Sequence, residues 1–184
     1  GLGLSVLSSS ALLLLYPLSF SPTGVWAGRL TDRIGSEPLV AASLFLSALL
    51  FALFAVLLGQ KEIWIFAIFI LVFGFLTALF SPANNRRIIE SAPSAYQSEA
   101  SVLLPVALNL GGLMGISVFD TIFSLGFPNV PVMTIQHVVH DDQSNLLLYQ
   151  GFTHAFFLAS LALLIAAIVG GLFYRSVDKQ NLFD

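Results

Sequence analysis

Five runs of mostly apolar residues, separated by short polar breaks, constrain this chain more than any other feature. A bilayer core about 30 Å thick takes about 20 such residues as one helix. The runs fall at 4–28, 38–58, 63–82, 97–125 and 149–174. Those at 38–58, 63–82 and 149–174 contain no Asp, Glu, Lys or Arg. Only 9% of the 184 residues are charged, against about 25% in soluble domains. So few polar side chains cannot clothe a water-soluble globule. Disorder is excluded by the 57% hydrophobic content, because a disordered chain has too little apolar surface to collapse. The predicted fold is an all-α membrane protein with about five transmembrane helices, residues 1–184 forming a single helical domain.

Composition closes off several functions. There is no cysteine, hence no disulfide, thiolate metal site or cysteine nucleophile. Net charge is −3 without a basic cluster, which gives nucleic acid no electrostatic footing. No phosphate-binding glycine loop is present. Ser8-Ser9-Ser10 has no paired base. No acid–base constellation converges, so no enzyme and no cofactor are expected. The first run lacks a basic leader and is too long for a signal peptide. The chain opens at Gly1, already apolar, and is expected to be a piece of something longer.

Alternate connections share one side of the membrane. Arg29, Arg33, Arg86, Arg87, Arg175 and Lys179 fall on one side and Lys61 on the other. Lys and Arg accumulate in cytoplasmic loops, so the connections 29–37 and 83–96 and the C-terminus are expected in the cytoplasm. The connection 126–148 is then external. Within it His137, His140, Asp141 and Asp142 stand near metal-ligand spacing. Without a clear third strong ligand they read as a solvated loop, with weak zinc binding as the alternative. His154 reads as an interfacial residue, and Arg86-Arg87 as an anchor to anionic lipid.

Polarity is uneven around two helices. At 100° per residue, Ser5, Ser9, Tyr16, Ser19 and Thr23 fall within about 80° of one another. This hydroxyl stripe either bonds to its own or neighbouring carbonyls or lines a wet cavity. On the fourth run Ala100, Ala107, Gly111 and Gly115 form a small-residue stripe with a G-x-x-x-G step, which favours close helix packing. Asn109 and Asp120 lie on the opposite face, three turns apart. Asp120 is the one acid placed within a span. It either reaches the outer interface or acts as an intramembrane ionisable group, binding a proton, a cation or a cationic substrate. The second and fifth runs offer little beyond Ser43, Ser47 and Ser160 and read as lipid-facing scaffold.

The first connection reads Gly28-Arg29-Leu30-Thr31-Asp32-Arg33-Ile34-Gly35. Gly28 would let the helix end pass close to a neighbour. Asp32 would cap a helix start, Arg33 would pair with acids or phosphate, and Gly35 would supply an unusual backbone angle. The pattern G-x-L-x-D-R-x-G, carried by Gly28, Leu30, Asp32, Arg33 and Gly35, resembles the loop signature of the major facilitator superfamily. Further segments match in order: Ser81-Pro82-Ala83-Asn84-Asn85, Ser91-Ala92-Pro93, Ala100-Ser101, Asn109-Leu110-Gly111-Gly112 and Gly151-Phe152-Thr153-His154-Ala155-Phe156. The pattern is most similar to the fourteen-helix drug:proton antiporters. It departs from them at Ser36 and Glu37, at Ser98 and at Leu108.

The resemblance implies the last five helices of a twelve-helix core, lacking the N-terminal half and the first helix of the C-terminal half. It implies that the first and fourth helices border a central cavity and that the signature loop is structural and gating. Cavity-lining candidates are then Ser5, Ser9, Tyr16, Ser19, Thr23, Asn109 and Asp120. The expected function is proton-coupled export of small amphipathic or hydrophobic compounds by alternating access, in a bacterial or archaeal cytoplasmic membrane. Its partners would be the lipid bilayer, the missing half, a small-molecule substrate and protons. The alternative is a non-transporting assembly or packing subunit of five helices.

Overall fold

The computed structural model of the chain describes residues 6–60, 62–125 and 142–180. The described chain is helical: α1 (Val6–Leu13), α2 (Leu15–Ile34), α3 (Ser36–Leu57), α4 (Ile63–Ser91), α5 (Gln97–Leu125) and α6 (Asp142–Gln180), with short 3-10 turns at Leu58–Gln60 and Ser94–Tyr96. Four segments are long and apolar enough to cross a membrane: Ser36–Gln60, Ile63–Ser91, Ser94–Ser124 and Tyr149–Gly171. No strand occurs among the described residues.

The first apolar run folds as two helices in tandem, α1 and α2. The break at Leu14 has a local cause. Pro17 lacks an N–H and cannot bond the carbonyl of Leu13, four residues back. The flanking bonds survive, Leu14 to Ser10 at 3.2 Å and Leu18 to Leu14 at 3.3 Å.

Three connections read from the sequence as loops are helical in whole or in part, the outer one over 142–148. α2 runs past Gly28 to Ile34, so the whole G-x-L-x-D-R signature is its last turns. Gly35 alone separates α2 from α3, at φ +94°, a conformation that glycine adopts without a Cβ penalty. Its N–H caps α2 by donating to the Thr31 carbonyl at 3.0 Å. Likewise α4 continues through Pro82 to Ser91 instead of ending at the proline. It stops where Ala92 turns extended, at φ −82° and ψ 141°, as a residue before proline prefers.

α3 is the centre of the bundle. It packs against α4 and α6, while α2 lies along α4 and α5 touches α4 and α6. The expectation that α3 is lipid-facing scaffold holds for one face alone. Leu46, Leu49, Leu53 and Val56 are exposed, whereas Leu39, Val40, Ser43, Ser47, Ala48 and Ala55 are buried. Ser43 tolerates burial because it is small and its Oγ donates to its own helix at Val40 O, 3.0 Å. α6 joins this face through Ser160 Oγ, which donates to Ala48 O at 2.7 Å.

Small residues set the helix spacing. A Cβ at Gly74 would sit 2.9 Å from the Tyr16 carbonyl oxygen, and one at Gly151 would sit 3.1 Å from Phe123. In lipid such close backbone approach replaces the hydrophobic drive for helix association. Aromatic rings fill the remaining centre. Phe54 stacks on Phe69 at 4.0 Å and meets Phe156 edge-on at 4.9 Å, joining α3, α4 and α6. Phe119 extends the chain of rings to α5, with its centroid 5.8 Å from Phe156.

Candidate functional site

The G-x-L-x-D-R signature sits at the end of α2 beside the polar extension of α4. Arg86 is the hub. Its Nη1 donates to Asp32 Oδ1 at 2.6 Å, and its Nε donates to Glu90 Oε1 at 2.7 Å. Asp32 therefore does not cap a helix start. It lies in the last turn of α2, where the helix dipole opposes a carboxylate, and the Arg86 guanidinium offsets that opposition. Both partners are open to solvent, with side chains 46% and 72% exposed.

The other signature residues divide clearly. Thr31 is buried, with its hydroxyl donating to Ala27 O at 2.8 Å. Leu30 packs on the small core of Leu39, Val40 and Ala83. A Cβ at Gly28 would meet nothing within 4 Å, so no helix among the described residues passes close there. Arg33 is exposed in the last turn of α2, where the dipole favours a cation. It makes no ion pair among the described residues, so Arg86 holds the acid instead.

Arg87, next along α4, points to α3 and α6. Its Nη2 donates to Gly170 O at 3.4 Å, and its Nε lies 4.0 Å from Glu37 Oε1. Arg86 and Arg87, expected to anchor the chain to anionic lipid, are instead bound to protein partners. The Arg86–Glu90 spacing was a usable signal, being one helical turn, but only if the helix continues past Pro82.

The hydroxyl stripe of α2 is partly spent on packing. Ser19 Oγ donates to Leu71 O of α4 at 2.7 Å. The Tyr16 ring lies 5.7 Å from Phe20 and 5.8 Å from Phe73, half-buried. Thr23 is half-buried and Ser9 is exposed. Ser5 lies outside the described residues.

α5 leaves most of its surface uncovered. Asn109 and Asp120 are exposed, and so are Ala107, Gly111 and Gly115, with Ala100 half-buried. A Cβ at Gly111 or Gly115 would meet nothing within 4 Å. The small-residue stripe thus meets no helix among the described residues. The residues that do contact the bundle are Leu104 and the Phe119–Phe123 end. The loop histidines His137 and His140 lie outside the described residues.

A relative in Clostridioides difficile (strain 630), riboflavin transporter RibZ, is 22% identical over 180 residues. The match covers 96% of this chain and 37% of the relative, so the chain spans little more than a third of that protein's length. No solved structure gives a significant match. A family model described as Major Facilitator Superfamily matches residues 1–182. With a match across almost its whole length, the chain belongs to the Major Facilitator Superfamily.

Proposed function

We propose that this chain is the C-terminal part of a secondary transporter that moves small amphipathic or hydrophobic compounds by alternating access, coupled to protons. The observation that carries the reading is the Asp32–Arg86 bridge, which ties the signature turn of α2 to α4 at 2.6 Å. A solvent-exposed ion pair adds little net stability. It therefore suits a contact that is made and broken in each cycle, holding two helices together in one state and releasing them in the other.

The end that carries Arg29, Arg33, Arg86 and Arg87 faces the cytoplasm in this reading, by the bias of basic residues toward that side. The uncovered face of α5 supports a further part. Gly111 and Gly115 offer close packing to a helix outside this chain, and Asn109 and Asp120, on the opposite side of α5, border the space between the halves. Asp120 is the candidate proton carrier, since an ionisable group within a span is costly and defaults to function. The substrate class includes planar heteroaromatic compounds of the kind named for the Clostridioides difficile relative.

The test is transport by the protein in energised vesicles, with a pH gradient imposed and collapsed. Gradient-dependent movement of a heteroaromatic amphiphile, lost in Asp32→Asn, supports the reading. Movement that ignores both the gradient and the substitution overturns it.

A further inference from the structure

A groove opens between α3 and α6, with Arg87 of α4 at its edge. Its volume is about 390 Å³, within the usual range of ligand pockets. Glu37 and Arg87 stand at one end, with Val40, Ala41, Leu44 and Ala167 along it. α3 enters the membrane from Ser36, so Leu44 lies about 10 Å deeper than Glu37 at 1.5 Å per residue. The groove is therefore amphipathic along its length, polar at the membrane surface and apolar below.

Two features say what fits. First, the opposite charges at the mouth form an ion pair at its outer distance limit, with no hydrogen bond between them. Arg87 Nε and Glu37 Oε1 are 4.0 Å apart, beyond hydrogen-bond reach, with side chains 28% and 31% exposed. A guanidinium carries five N–H donors, and among the described residues Arg87 uses one, to Gly170 O at 3.4 Å. Second, the floor is open among the described residues. A Cβ at Gly170 or Gly171 would meet nothing within 4 Å.

We propose that this groove holds one phosphatidylethanolamine molecule. Its phosphate takes the free N–H donors of Arg87, which match phosphate geometry. Its ammonium takes the Glu37 carboxylate, and one acyl chain lies over Gly170 and Gly171 toward Leu44. A purely anionic headgroup answers Arg87 but sets a negative charge against Glu37. The zwitterion answers both. The site is separate from the Asp32–Arg86 bridge, and it depends on neither the substrate nor the direction of transport.

Native mass spectrometry of the detergent-purified protein tests this, with phosphatidylethanolamine and phosphatidylglycerol added in equal amounts. One phosphatidylethanolamine should be retained in preference. Arg87→Ala should lower that retention about tenfold, the worth of a hydrogen bond to a charged group. Glu37→Gln should abolish the preference between the two lipids. Gly171→Leu, which fills open space, should displace both. A check that needs no variant is photo-crosslinking with a phosphatidylethanolamine that carries a diazirine on its acyl chain. Label on the segments around Leu44 and Ala167 supports the site. Equal retention of the two lipids by the unaltered protein overturns the proposal. So does unchanged retention in Gly171→Leu, or label confined to other segments, as when another helix covers the groove. Loss of transport with lipid retention intact counts against the proposed function alone.

Discussion

The Ser19 hydroxyl donates a 2.7 Å hydrogen bond to the Leu71 carbonyl oxygen, across the seam where α2 meets α4. One turn away, Gly74 of α4 faces the Tyr16 carbonyl so closely that a Cβ would come within 2.9 Å. The two contacts depend on each other. The glycine lets the backbones approach, and the approach brings a serine on one helix within reach of a carbonyl on the other.

Gly74→Ala should therefore destabilise the protein more than Ser19→Ala. The added methyl meets backbone, which cannot rotate away, and overpacking of this kind costs about 1–3 kcal/mol. Loss of an interhelical hydroxyl bond in a membrane costs about 0.6 kcal/mol on average. Thermal unfolding in detergent ranks the two; the opposite order would mean that the helices part easily at Gly74.

Ser160→Ala and Gly151→Ala probe the attachment of α6 in the same way. Ser160 bonds Ala48 O of α3 at 2.7 Å, and Gly151 abuts Phe123 of α5. The serine variant should lose about 0.6 kcal/mol, as at Ser19. At Gly151 two of the atoms a methyl would meet belong to the Phe123 ring, but one is its carbonyl oxygen at 3.1 Å. That variant should lower the unfolding midpoint further than Ser160→Ala does.

Asp32→Asn should separate stability from function. Because the Asp32–Arg86 pair is solvent-exposed, the unfolding midpoint should hardly move, while transport should fall. Arg86→Ala should fall at least as far, since it also releases Glu90. A large midpoint drop in either variant would make the bridge a structural clamp instead of a gate.

Asp120→Asn should lower proton-coupled movement of substrate without unfolding the protein, because Asp120 is exposed on α5. Unchanged movement across a range of pH gradients would remove Asp120 from the coupling step.

The absence of cysteine makes accessibility easy to measure, because any label reports an introduced site. Asn109→Cys should react with a water-soluble maleimide if α5 borders an aqueous cavity. Ser19→Cys should react slowly, since that position is held against α4. Equal reactivity at the two positions would argue against a cavity that distinguishes the faces.

Much of the helix framework could be read along the chain, for a local reason. Whether a run is apolar enough to sit in lipid, and where a proline or a positive-φ glycine interrupts it, depends on neighbouring residues only. The turn at Gly35, with the unusual backbone angle expected of that glycine, is of this kind, whereas Pro22, Pro82 and Pro105 stand inside helices. The helical reach of 29–34 and 83–91 was not legible in the same way. Those segments are polar, and Arg86 with its two acid partners spans both α2 and α4.

The use of each polar face belonged to the tertiary structure. Ser19 and Thr23 share a stripe on the helical wheel, yet Ser19 alone bonds α4. Asp32 and Arg86 lie 54 residues apart, and Ser160 and Ala48 lie 112 apart. Such partners follow from which helix faces meet and how closely. In a bilayer, with no hydrophobic drive to bring helices together, that choice rests on where glycine, alanine and serine let two backbones touch. The order and extent of the apolar runs are thus properties of the chain alone. The pairing of Asp32 with Arg86, the spending of Ser19 on packing and the groove over Gly170 and Gly171 arise only when the helices stand side by side.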